Sequence, residues 1–171
     1  MDSVRAAISR EHGATALLFA RRNLPPQAYI NVRTPRHRAD TLIAWLGSIK
    51  PDSVDFVIGI TQQDISTTKY DSNGAIKEPA WKYRDFGIFG LGYVGGPSCV
   101  VSTSRLGDGK SVLFFDRLKK VVVHELGHDR KLPHCPNLSC VMRDAVERLS
   151  SMDEADPGFC GECTARLRSS Q

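Results

Sequence analysis

The chain has 171 residues, 41% of them hydrophobic and 25% charged, with a formal net charge of +4. That length accommodates one domain with a substantial core, and the composition is that of a folded protein rather than a disordered or membrane-resident one. The positive charges are scattered, with small clusters at Arg33, Arg36 and Arg38 and at Arg117, Lys119 and Lys120. Such clusters read as solvated faces and do not point to nucleic acid as a partner.

The run from Met1 to Glu11 is polar and mixed in charge. It lacks the apolar stretch of a secretory signal, and no later run is long enough to span a bilayer. A cytoplasmic location without membrane contact is therefore expected. Ser3 is placed to cap a short helix through Glu11, and Ala14 to Ala20 reads as a buried strand that ends at Leu24-Pro25-Pro26. Tyr29 to Arg33 reads as a second extended piece. From Arg36 to Ile49, Leu42, Trp45, Leu46 and Ile49 recur at three- and four-residue steps, so an amphipathic helix lying on a sheet is expected.

Val54 to Thr61 is rich in β-branched residues and reads as a central strand. The polar stretch from Gln62 to Arg84 is the longest irregular candidate, and Asn73-Gly74 within it suits the tight turn of a projecting β-ribbon. Phe86 to Val94 and Cys99 to Arg105 read as a hairpin interrupted by Gly95-Gly96-Pro97. Ser111 to about Asp129 reads as the longest helix. After it comes a cysteine-rich, mostly irregular tail with a helix near Met142 to Ser151. The pattern is mixed helix and sheet, then a mostly irregular tail, in one domain.

The longest helix carries His124-Glu125-Leu126-Gly127-His128, an HExxH motif. Two histidines four apart lie on one helical face, where both imidazoles can bind one Zn²⁺ at roughly 2.0–2.1 Å. Glu125 projects beside the metal, as suits a general base acting on water that the metal has made acidic. A shuffled chain of this composition would contain HExxH with a probability of about half a per cent.

His134 follows His128 by six residues and on a continuing helix would face away. Pro133 disfavours helical geometry at Leu132, so the helix is expected to stop there and let His134 return as a third ligand. Three protein nitrogens leave a fourth position open, the arrangement of a catalytic zinc.

Four of the five cysteines, Cys135, Cys140, Cys160 and Cys163, crowd into the last 37 residues with spacings C-x4-C and C-x2-C. They read either as two disulfides, which need an oxidising compartment, or as four thiolates closing a structural zinc site, and metal is the better reading. Since Cys135 adjoins His134, a zinc there would brace the turn that delivers the third histidine. Cys99 stands apart and reads as a buried apolar filler.

His124, Glu125, His128, His134, Cys135, Cys140, Met142, Cys160 and Cys163 together resemble the archaemetzincin pattern, nine positions spread over 40 residues. Phe56 to Asp64 and Val100 to Leu106 resemble the family's strand segments. The resemblance implies a zinc metallopeptidase of the metzincin type: a twisted mixed sheet with helices in an upper lobe over about 1–131, an active-site helix ending at the cleft, and a zinc-braced lower lobe over about 132–171. It also implies two zincs, one catalytic and one structural, and a peptide or protein substrate held extended along an edge strand. Met142 would be the apolar floor beneath the metal.

One position departs from the pattern. The family's glycine between the second and third histidines is Lys131 here, at a point where positive φ is expected and costs a non-glycine residue roughly 1–2 kcal/mol. The competing functional reading is a zinc-stabilised interaction module without turnover. Glu125 argues against it, since metal binding alone needs no carboxylate there.

Overall fold

The computed structural model describes residues 1–144 and 148–169. It begins with helix α1 (Asp2–His12), which presents Val4, Ala7 and Ile8 to the core and ends at Gly13 in the left-handed conformation. Met1 rather than Ser3 stands at its N-cap, with no side-chain cap. A 3₁₀ turn at Pro26–Ala28 leads into β1 (Tyr29–Asn31) and β2 (Pro35–Arg38), and α2 (Ala39–Ser48) follows at once. The first residues of the expected second helix are thus strand, because His37 and Arg38 pair in parallel with Ile65 and Ser66 of β4 (Ile65–Thr67).

Two small mixed sheets result. One has the order β1-β2-β4-β5, with β5 spanning Phe86–Ile88. The other has the order β3-β7-β6, built from β3 (Val57–Thr61), β6 (Gly90–Gly92) and β7 (Ser98–Ser102). The stretch expected as one strand from Phe86 to Val94 is split at Phe89 between the two sheets, while its hairpin with β7 forms as expected. Phe89 itself turns into the core beneath them. β3 lies at an edge and β7 at the centre, every residue of β7 being buried.

Helix α2 lies on these sheets as its periodicity requires, packing Leu42, Ile43 and Leu46 with Ile65, Ile88 and Val100. Asp64 ties the two sheets together. It accepts from Arg36 of β2 at 2.9 Å and from Arg105 beyond β7 at 2.6 and 2.7 Å. Burial alone would raise its pKa, but the two guanidiniums hold it below the ordinary carboxylate value.

The expected strand from Ala14 to Ala20 is absent. Ala14 and Ala16 lean on the core, but Leu17, Leu18 and Phe19 are 57–61% exposed and no strand pairs with them. Three consecutive large apolar residues cannot all turn inward from an extended chain, whose side chains alternate. The ribbon expected at Asn73-Gly74 is present: Tyr70 pairs with Ile76, the Asp71 carboxylate accepts from the Asn73 and Ala75 amides, and Gly74 takes φ 79°. A short helix α3 (Ala80–Tyr83) leads back to β5.

Helix α4 (Val112–Asp129) is the longest and crosses beneath β6 and β7. Its start is set by Ser111, whose hydroxyl accepts from the Phe114 amide at 3.1 Å. Its first face packs Phe114, Leu118, Val121 and Val122 with Val4 and Ile8 of α1 and with Val101. Its last turns face a second cluster, in which Val123 meets Leu132, Cys140, Met142 and Leu167. α6 (Gly161–Ser169) closes that cluster with Cys163 and Leu167, while α5 (Leu149–Glu154) adds Met152 to the first. Of the helix expected near Met142 to Ser151, α5 is the later part, and residues 145–147 lie outside the described residues. Among the described residues, no helix is long and apolar enough to cross a membrane.

Candidate functional site

Twelve of the eighteen residues of α4 are buried, including the whole of His124 to Asp129. The helix ends in a Schellman motif: Leu132 donates to the Gly127 carbonyl at 2.9 Å, Lys131 donates to the His128 carbonyl at 2.9 Å, and Lys131 takes φ 67°. The stop expected from Pro133 therefore comes two residues earlier, with the proline only following it. It also explains why a glycine suits position 131, since Lys131 adopts the left-handed conformation that its Cβ disfavours. Gly95 donates to the same His128 carbonyl at 2.8 Å, which ties the β6–β7 turn to the helix end.

Reversal of the chain there brings His134 back. The ligand atoms of His124, His128 and His134 all lie within 4.8 Å of one another, with ring centroids 4.7–5.4 Å apart. Nδ1 of His124 meets the Val141 carbonyl at 2.7 Å, and Nδ1 of His128 meets the Leu132 carbonyl at 2.8 Å. A carbonyl accepts only a proton, so both rings carry hydrogen on Nδ1 and turn a bare Nε2 inward. The two Nε2 atoms lie 3.1 Å apart, close to the ~3.3 Å expected between two nitrogens on one tetrahedral zinc. Burial and the His128 ring lower His124 to about 3, and burial lowers His128 as well, so both stay neutral at pH 7 as ligands must. His134 is different: its side chain is 45% exposed and Nδ1 stands 3.7 Å from Asp144. The donor set therefore fits a zinc with one side open to solvent.

Glu125 is buried against β6. A Cβ at Gly90 would stand 2.5 Å from Oε1, and one at Gly92 would stand 2.7 Å from the Glu125 carbonyl oxygen. Alternate residues of a strand face one way, so Gly-Leu-Gly clears a single face for this carboxylate. Burial, with Asp129 behind it, pushes the Glu125 carboxyl up to about 8, against the pull of the Gly92 amide and the Lys69 ammonium. Asp129, one turn on, is itself pushed to about 7 by burial, against the pull of the Cys99 thiol beside it.

Beneath the histidines Met142 is fully buried, and its sulfur would stand 2.5 Å from a Cβ at Gly127. The glycine within HELGH thus makes room for Met142 against the helix. Beside it the sulfurs of Cys135, Cys140, Cys160 and Cys163 all lie within 4.8 Å of one another. Cys135 to Cys160 measures 3.7 Å and Cys140 to Cys163 measures 3.8 Å, against ~3.8 Å for sulfurs on one tetrahedral zinc at 2.3 Å. All four are free thiols, so the disulfide alternative is not realised. The Cys160 amide donates to Cys140 Sγ at 3.4 Å, and Cys135 donates to the Met142 carbonyl at 2.8 Å. The Cys163 amide lowers Cys160 to about 7, which helps supply a thiolate. Cys99 is fully buried and its pKa is raised by burial, as suits the filler expected.

The structure thus gathers every expected ligand into one of two clusters. Sequence reasoning missed the Val141 and Leu132 carbonyls, the buried Asp129, Lys69 and the glycines that clear space. Only the G-x-G spacing, one face of a strand, could have been found beforehand.

The family model described as Peptidase family M54 matches residues 1–169. The chain is 31% identical over 168 residues to the archaemetzincin of Methanopyrus kandleri, covering 98% of this chain and 86% of that protein. It is 31% identical over 156 residues to the archaemetzincin of Halobacterium salinarum, covering 86% and 79%. The crystal structure of the M. kandleri protein superposes with a TM-score of 0.80 over 99% of this chain and 84% of that one. The archaemetzincin of Archaeoglobus fulgidus, crystallised with malonate, superposes with a TM-score of 0.73 over 96% of this chain and 90% of that one, and at 24% identity supports the fold alone.

Proposed function

The chain belongs to peptidase family M54, the archaemetzincins, and is a zinc metallopeptidase acting on peptides or proteins; on that premise we propose that His124, His128 and His134 hold its catalytic zinc and that Glu125 is the general base. The observation that carries the ligand assignment is the pair of inward Nε2 atoms 3.1 Å apart, each fixed by a carbonyl on the far nitrogen. When bound, zinc supplies Lewis acidity that polarises a peptide carbonyl and lowers the pKa of a water toward about 7.

Glu125 then takes a proton from the attacking water and passes it to the leaving amine, with no covalent intermediate. Burial raises Glu125 to about 8, and the positive charge of a bound zinc would add to that of Lys69 in favouring the carboxylate that a base requires. Strand β6 is the edge of its sheet and lies on Glu125, so an extended substrate pairs with its free backbone edge.

Cys135, Cys140, Cys160 and Cys163 hold a second, structural zinc, giving two per chain. Met142 is the floor of a metzincin-type site. The chain works as one domain with its cleft between an upper lobe over about 1–131 and a lower lobe over about 132–171. Four free thiols grouped as ligands favour a reducing, cytoplasmic location.

The test is Glu125→Gln, which keeps the shape of the buried side chain. Elemental analysis should find zinc unchanged while peptide hydrolysis falls by a factor of roughly 10²–10⁴. Hydrolysis at the wild-type rate would remove Glu125 from the mechanism.

A further inference from the structure

The segment that projects between β4 and β5 and the turn between β1 and β2 together carry cations laid on aromatic rings. The Arg33 guanidinium sits over Trp81, 4.9 Å from the ring centroid. The Lys82 ammonium lies 4.7 Å from the Tyr83 ring and 5.9 Å from that of Phe86, and Lys69 approaches the Phe86 ring at 5.6 Å. Tyr83 and Phe86 stack on each other at 5.5 Å. A groove lined by Val32, Arg33, Ala80, Trp81 and Arg84 opens between that turn and α3.

These cations are accessible and short of counter-charge. Arg33 and Arg84 are exposed, and Lys69 and Lys82 are half-buried. Among the described residues none of the four pairs with an acid, and the one side-chain hydrogen bond they donate runs from Lys82 to the Tyr83 hydroxyl at 3.3 Å. Their neighbours Arg36 and Arg38 differ, each holding a carboxylate, Asp64 and Asp40. The acids of the projecting segment are engaged elsewhere. Asp71 accepts from the Asn73 and Ala75 amides, Glu78 accepts from the Ala80 amide, and Asp85 is buried against Arg36 at 3.3 Å. A guanidinium resting on a ring keeps its edge donors free for a carboxylate. Val32 and Trp81 are each 66% exposed, and tryptophan beside arginine is the pairing enriched where proteins bind proteins.

The surface adjoins the active site. Phe86 opens β5, which continues through Phe89 into β6, the strand that lies on Glu125. It stands four positions before Gly90, about 13 Å along an extended chain. The charge of Lys69 is felt at the Glu125 carboxyl.

We propose that Arg33, Trp81, Lys82 and Arg84 form a docking surface for an acidic segment of the protein substrate, a run of aspartates and glutamates about four residues or more to one side of the cleaved bond. The proposal rests on the peptidase reading above and adds the substrate class. A nucleic-acid strand fits less well, since the chain carries a net charge of only +4 and aliphatic groups line the groove beside the ring.

The experiment uses zinc-loaded protein and quenched fluorogenic peptides that share one cleaved core and carry a tail of Glu, Gln or Lys on either side of it, beginning about four residues from the bond. On one side the Glu tail should exceed the Gln tail by about tenfold or more in kcat/KM, through KM rather than kcat, and the advantage should shrink as salt is raised. In Arg33→Gln/Lys82→Gln the Glu-to-Gln ratio should fall toward one, while Arg33→Lys/Lys82→Arg, which keeps both charges, should keep most of it. Equal rates for Glu and Gln tails on both sides, or an unchanged ratio in Arg33→Gln/Lys82→Gln, would overturn the docking surface and leave the peptidase reading intact.

If the wild type cleaves none of the peptides, the peptidase reading fails instead. Binding of the same peptides to the zinc-loaded protein, read by fluorescence anisotropy, then decides the surface without turnover. Tighter binding of the Glu tail by about tenfold supports it, and equal affinity overturns it. A single-stranded oligonucleotide of matched charge that binds more tightly than the Glu tail would overturn the assignment to an acidic peptide.

Discussion

The histidine cluster and the cysteine cluster lie side by side, joined at His134 and Cys135, yet they are built oppositely. The cysteine set offers four donors, three of them buried, packed among Val123, Met142 and Leu167. The histidine set offers three donors, and the third is almost half exposed on a turn after the helix end. Four soft donors within one packed core close a tetrahedron and resist exchange, whereas three leave a face for water and substrate. On the proposed reading, a metal held by the cysteines would serve stability and one held by the histidines of α4 and the following turn would serve chemistry.

The sharpest way to break that contrast is to remove donors from each side. Cys160→Ser with Cys163→Ser should reduce zinc from two per chain to one or fewer and lower the thermal midpoint by more than about 10 °C, read by elemental analysis and calorimetry. The same loss of zinc without any loss of stability would show that the cluster does not brace the fold. His134→Ala should leave the midpoint within about 3 °C, because the side chain is half exposed, while weakening zinc at the histidine site and abolishing turnover. A large drop in midpoint here would mean that both metals support folding.

Smaller effects probe the join between the two sites. Lys131→Gly removes the Cβ from a left-handed position and should raise stability by roughly 0.5–1 kcal/mol, measured by urea unfolding. His12 tests the packing of α1 against α4. Its Nε2 meets the Val123 carbonyl at 3.1 Å, and burial together with Arg130 lowers its pKa to about 4 from 6.5. The unfolded chain therefore binds the proton first, so the contribution of His12 is full above pH 6.5 and is lost as pH falls from 6.5 toward 4. The urea midpoint should drop across that window, and His12→Gln should flatten the drop. An unchanged pH slope in that variant would assign it to other groups.

Much of the site was legible because its chemistry is local. HExxH sets two ligands one helical turn apart whatever surrounds them, and C-x2-C does the same for Cys160 and Cys163. Ser111 marked the start of α4 correctly because a cap needs only the next three residues. Strands were read less well. Phe86 to Val94 is continuous in pattern, but its halves pair with β4 and β7 in different sheets. Ala14 to Ala20 has strand composition and no partner edge, so it stays outside the ladders.

Sequence alone therefore determined the two donor sets, the helix that carries one of them and the need for that helix to end before His134, since spacing and ligand type are properties of the chain itself. Tertiary structure decided which carbonyls fix the imidazoles and which glycines clear space for Glu125 and Met142. Those residues lie up to tens of positions apart, and a contact between distant residues arises from how helices and strands pack, for which a linear pattern carries no period.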